Sequence, residues 1–140
     1  MRIMLVALGV MALGAAAQAQ QVAQMLNGVR AEEGLGPVQA SPMLEAAAMA
    51  HALDMSENGF FDHRGSDGSD VMARAKTAGY GPCVIAENIA QGQTDLRQVL
   101  GDWVNSPGHR ANILLDSITD YGLVRAEGDI WVLVLGQGGC

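Results

Sequence analysis

The stretch Ile130-Trp131-Val132-Leu133-Val134-Leu135 sets six apolar residues in succession with no polar residue between them. A strand with one face in water would alternate, so this run predicts a strand covered on both faces. Tyr121 to Ala126 precedes it, and Glu127-Gly128-Asp129 supplies the turn, so the tail reads as a β-hairpin. A further apolar run, Cys83 to Ala90, is bounded by Gly81-Pro82 and Gly92 and suits another strand. Helical patterns precede and intersperse these strands, and the simplest covering is helix on sheet on helix. The expected fold class is α/β, a three-layer α/β/α sandwich around a central, largely antiparallel sheet.

The helices announce themselves by spacing and by their ends. Val22, Met25, Leu26 and Val29 follow i, i+3, i+4, i+7, and Gly34 and Gly36-Pro37 stop the pattern. Ser41-Pro42 opens a second helix, with Ser as N-cap, Pro at the first position and Glu45 near the positive end; it runs to about Glu57 and stops at Asn58-Gly59. Ser69 is the expected cap of a short helix from Asp70 to Ala78. Thr94 or Asp95 caps another, in which Leu96, Val99, Leu100 and Trp103 keep helical register. Ser106-Pro107 opens a last short helix through Leu115. Between the second and third helices, the Gly-, Asp- and Ser-rich stretch from Phe60 to Gly68 reads as a loop.

The chain has 140 residues and a net charge of −7. Arg2, the uncharged run Ile3 to Ala17 and the triplet Ala17-Gln18-Ala19 predict a signal peptide over residues 1–19, leaving a single domain over 20–140. The leader is too short and too lightly flanked to be a membrane span, and no transmembrane segment is expected after its removal. Lys76 is the only lysine, and no basic cluster offsets the acidic excess, so nucleic-acid binding is excluded as a main activity. Docking on anionic lipids by charge alone is disfavoured for the same reason. The expected destination is secreted or periplasmic, and few aromatics point to a monomer. In an exported chain, two cysteines indicate a disulfide, Cys83 to Cys140; two free thiols, or Cys140 pairing between chains, are the alternatives.

Several segments in order resemble the CAP superfamily of cysteine-rich secretory, antigen 5 and pathogenesis-related proteins, in its short bacterial form. They are Asn27-Gly28-Val29-Arg30, Phe60-Phe61-Asp62-His63 with Ser66-Asp67-Gly68, Ala86-Glu87-Asn88-Ile89-Ala90, and Trp103 followed by Ser106-Pro107-Gly108-His109-Arg110-Ala111-Asn112-Ile113-Leu114. The resemblance implies an α/β/α sandwich and a cleft lined by two His and two acidic residues. His63, Glu87 and His109 match three of these. The fourth position reads Asn105-Ser106, so the full set is absent.

His63, Glu87 and His109, with Asn88 and Ser106 beside them, are therefore the candidate cleft. Two imidazoles and a carboxylate would make an adequate ligand set for a divalent metal such as Zn²⁺. The plainer alternative is a hydrogen-bonded His63–Glu87 pair bracing the loop, with His109 bracing its helix. A hydrolase would need a base besides its ligands. The candidate nucleophiles are better explained as a turn former, Ser66, and an N-cap, Ser106. Asp62, next to His63, is expected to point away. His51, in the Ala-rich second helix, reads as a surface or boundary residue, and Met43, Met49, Met55 and Met72 as helix packing. Three functions follow, in order of preference: a binding module for an extracellular, envelope or lipid ligand, a structural or signalling domain, and a metal-dependent or serine hydrolase acting on peptides or cell wall.

Overall fold

The computed structural model describes residues 4–140. Its centre is the apolar run. β4 (Ile130–Gly138) lies between β3 (Asp120–Ala126) and β2 (Pro82–Gln91) and is antiparallel to both. Alternate β4 side chains enter different cores. Trp131, Leu133 and Leu135 join one layer, and Ile130, Val132 and Val134 the other, which is why the run carries no polar residue.

The first layer holds α1 (Met4–Glu32), α4 (Leu96–Val104) and α5 (Pro107–Ile113), through Val22, Leu26, Val99, Leu100, Trp103 and Ile113. The second holds α2 (Pro42–Asn58) and α3 (Val71–Thr77), through Leu44, Ala48, Ala52, Met55 and Ala75. A strand that the sequence did not signal, β1 (Gln39–Ala40), pairs in parallel with Asp120 and Tyr121 and makes the sheet mixed, in the order β1-β3-β4-β2. Two residues are too few to show a period.

Local chemistry fixes the ends. Ser41 Oγ accepts from Leu44 N at 3.3 Å, and Gly59 closes α2 in the left-handed region at φ 66°. The cap of α3 is Asp70, whose Oδ1 accepts from Ala73 N at 2.8 Å, and not Ser69. The two are adjacent and both are good caps, so sequence alone does not separate them. Asp95 caps α4, and α5 ends at Ile113, two residues short of expectation. Met43 is exposed at the start of α2, contrary to the packing role expected of it; Met55, on the stripe with Leu44 and Ala48, is buried.

Near the end of α1, Asn27 pairs with both main-chain groups of Val38, at 3.1 and 2.8 Å. The buried Arg30 donates to the carbonyls of Gly36, Ile113 and Leu115. These two residues, three apart on one helix face, staple the following loop and the end of α5 to α1. The helix runs unbroken through the expected cleavage point after Ala19. Side chains 14–21 are exposed and burial begins at Val22. Residues 1–3 of the expected leader lie outside the described residues.

Cys83 and Cys140 are bonded, with Cα atoms 5.4 Å apart and a sequence separation of 57. Closing so long a loop contributes about 4 kcal/mol in the chain-entropy model.

The layers come into close contact at Gly122 on β3. A Cβ there would stand 2.3 Å from Leu44 C and Glu45 N, so the first turn of α2 rests on bare strand backbone. Gly122→Ala is expected to destabilise the fold by about 3 kcal/mol, read as a lowered midpoint in chemical denaturation with an unchanged slope. An effect below about 0.5 kcal/mol would mean that the helix can lift away.

Candidate functional site

Successive strand residues face opposite ways, and on β2 this separates the candidate residues. Glu87 turns into the α2/α3 layer and Asn88 into the α1/α4/α5 layer. The Glu87 side chain is only 3% exposed, and both of its oxygens are engaged. Oε1 lies 2.8 Å from His63 Nδ1, and Oε2 accepts from an Arg74 guanidinium nitrogen at 2.8 Å. Arg74, itself 8% exposed, also donates to the carbonyls of Ser69 at 2.8 Å and His63 at 3.0 Å. One arginine on α3 thus ties both ends of the loop to the strand. Burying a carboxylate is costly unless it is paired and hydrogen-bonded, and this one is both.

His63 donates from Nδ1 to the carboxylate, which leaves Nε2 as the lone-pair nitrogen of the neutral ring. The side chain is 59% exposed although its partner is buried. The cavity beside it, about 360 Å³, is lined by Asp62, His63, Arg64, Asp70, Val71 and Glu87. Asp62 accepts from Arg64 N at 2.8 Å in a local turn and has no bond to His63 among the described residues.

His51 is fully buried, not at the surface or boundary. It continues the Leu44, Ala48, Met55 stripe of α2, and that spacing was the available signal for its burial. Its Nε2 is 2.8 Å from the Asp62 carbonyl and 3.9 Å from Glu87 Oε1. A carbonyl only accepts, so the proton sits on Nε2, and the buried Nδ1 has no partner among the described residues. Desolvation lowers its pKa and outweighs the opposing pull of Glu87, while Arg74 adds to the lowering.

The other face of β2 carries a different set. Asn88 donates to the His109 carbonyl at 3.0 Å, and Asn112 donates to Asn88 Oδ1 at 2.8 Å and to the Glu87 carbonyl at 3.4 Å. His109 Nδ1 lies 2.9 Å from Ser106 Oγ. Ser106 occupies the N-cap position of α5, but its side chain makes no capping bond, since the hydroxyl is turned to the imidazole instead. Trp103 Nε1 donates to the Ile89 carbonyl at 3.3 Å.

The fold therefore joins His63 to Glu87, and His109 to Ser106 and, through its carbonyl, to Asn88. The two groups meet through the main chain of one strand. Among the described residues no three His, Cys, Asp or Glu side chains gather to hold a metal ion. Glu87 is also a poor donor for Zn²⁺ as it stands, with a guanidinium on one oxygen and an imidazole N–H on the other. Neither candidate nucleophile is bonded to His63. Ser66 Oγ donates to Asp54 Oδ1 at 2.6 Å, and its N–H donates to Oδ2, contacts that hold the Asp54 carboxyl below its usual range. His63 can accept a hydrogen bond or a proton from something outside the protein. His51, Arg74 and Asn112 are the site residues that sequence reasoning missed.

Two expectations follow. Glu87→Gln breaks the buried pair and should cost about 3 kcal/mol, while a double replacement, Arg74→Met with Glu87→Leu, recovers most of it; equal loss in both variants would deny that the stranded charge is the cause. His51 binds its proton less readily in the folded state, so stability should hold above pH ~6.5 and fall as the pH drops below that toward its lowered pKa. His51→Gln should flatten that limb of the melting-temperature profile, and an unchanged limb would assign it to other groups.

The model of the cysteine-rich secretory protein family, CAP, matches residues 23–135. The chain is similar to the uncharacterized protein YkwD of Bacillus subtilis (strain 168), 34% identical over 113 residues covering 80% of this chain and 44% of that one. It spans less than half the length of the curated relatives it matches. Among solved structures it resembles an extracellular protein containing an SCP domain from Bacillus anthracis, with a TM-score of 0.81 at 24% identity over 87% of this chain and 41% of the other. It also resembles an outer surface protein from Borrelia burgdorferi, with a TM-score of 0.78 at 22% identity over 86% of this chain and 92% of the other. The structural likenesses carry the α/β/α fold, the family match carries the sequence from α1 to β4, and on that ground the chain belongs to the CAP family.

Proposed function

We propose that the domain is an exported binding module whose cleft presents His63 Nε2 to an extracellular, envelope or lipid-borne ligand. The observation that carries this reading is the contrast at one hydrogen bond: His63 is 59% exposed, and the Glu87 that orients it is 3% exposed. A ring fixed in tautomer and direction by a buried partner, yet open to solvent, is preorganised for recognition. Export accords with the leader pattern and the disulfide, and with relatives described as extracellular or outer-surface proteins. The module acts without a metal held by Glu87, because Arg74 already neutralises that carboxylate.

A structural role applies to other members of the same cluster. Arg74 and Glu87 are buried and bind the loop to β2, so they maintain the fold while His63 faces outward. Hydrolysis ranks behind both, since Ser66 and Ser106 have other partners.

Envelope extract passed over immobilised wild-type protein and over His63→Ala tests this. The variant should stay folded, with a lowered melting temperature because Glu87 Oε1 loses its partner, and should lose a specifically retained component; equal retention by both would remove the cleft from the function. Thermal unfolding with added Zn²⁺ should show no stabilisation that depends on His63, and a zinc-dependent rise abolished by His63→Ala would restore a metal to the site.

A further inference from the structure

A second cavity, about 550 Å³, opens where the end of α2 meets the β3–β4 turn. Its floor is apolar, formed by the buried Met55 and Ile130 and the half-buried Phe60. At its edge stands Phe61, 47% exposed, the most exposed large apolar side chain among the described residues. Glu57 and Glu127 line the rim, and among the described residues no Lys or Arg lines the cavity. Among those same residues neither carboxylate has an ion-pair partner.

The backbone adds to this negative potential. α2 is 17 residues long and has no basic residue in its last turn, where Glu57 lies. A helix C-terminus favours cations, so an acidic residue there without a counter-charge is mildly unfavourable in the free protein. A bound cation would relieve it. The cavity walls are also pinned, because Ser56 Oγ donates to the Glu127 carbonyl at 2.9 Å and holds the turn against α2.

We propose that this cavity binds a basic peptide segment. One apolar side chain sits on Met55, Phe60 and Ile130, and an adjoining Lys or Arg is held by Glu57 and Glu127 over the aromatic surface of Phe61. The charge of the rim, the helix terminus and the exposed ring all select the same partner, and an apolar floor alone would not demand a cation. The cavity shares no lining residue with the one beside His63, and the proposal does not rest on the His63 reading.

Amide shifts of the full chain, titrated with the blocked tetrapeptide acetyl-Leu-Arg-Leu-Arg-amide, provide the test, with the same peptide carrying citrulline in place of arginine as the neutral control. Saturable shifts are expected at Phe61, Gln91 and Gly128. The citrulline peptide, and the double variant Glu57→Gln with Glu127→Gln, should each weaken binding about tenfold, and added salt should weaken it further. Both glutamates are exposed, so the double variant should melt with the wild type. His63→Ala should bind the arginine peptide unchanged. No saturable shift, equal affinity for the citrulline peptide, or loss of binding in His63→Ala would each overturn the proposal.

Discussion

A carboxylate buried on the outer strand of a sheet must be answered, and the answer given to Glu87 organises this end of the molecule. Arg74 comes from α3, His63 from the loop between α2 and α3, and His51 crosses from α2 to hold the Asp62 carbonyl. Three elements otherwise free to shift are thereby referred to one strand. The arrangement has its own cost. Among the described residues, His51 keeps a bare nitrogen in the core, and Arg74 leaves its Nε–H without a partner. Unmet groups of this kind are rare in folded proteins and concentrate where position matters more than stability.

The sandwich itself was legible because its signals are collective. Six apolar residues in β4 have no other explanation than two covered faces. The Ser41-Pro42 opening and the Gly59 close of α2 each rest on backbone chemistry that leaves few alternatives. The Cys83–Cys140 bridge followed from counting thiols in a chain expected to be exported, and it is formed.

What was not legible depends on choices between near equals. Ser69 and Asp70 could each cap α3. Asp70 does, while Ser69 offers its carbonyl to Arg74. Ser106 sits where a cap belongs, yet finds an imidazole three residues on. The roles of His51 and Arg74 depend on partners distant in sequence, and only the fold supplies those distances. The same applies to His63 and His109. The family pattern implies one cleft for both, whereas the alternation of β2 assigns their immediate partners to opposite faces of the sheet.

The bonds that Trp103 and Asn112 make to the Ile89 and Glu87 carbonyls have a consequence beyond the cleft. These carbonyls belong to the outer edge of the sheet, where an unpaired strand would serve as a template for a second molecule. At the opposite edge, β1 is only two residues long. There it covers only Asp120 and Tyr121 of β3, whereas at the β2 border side chains occupy two of the outward carbonyls. Adding a strand of a second molecule at the β2 border would first have to displace the Trp103 and Asn112 side chains.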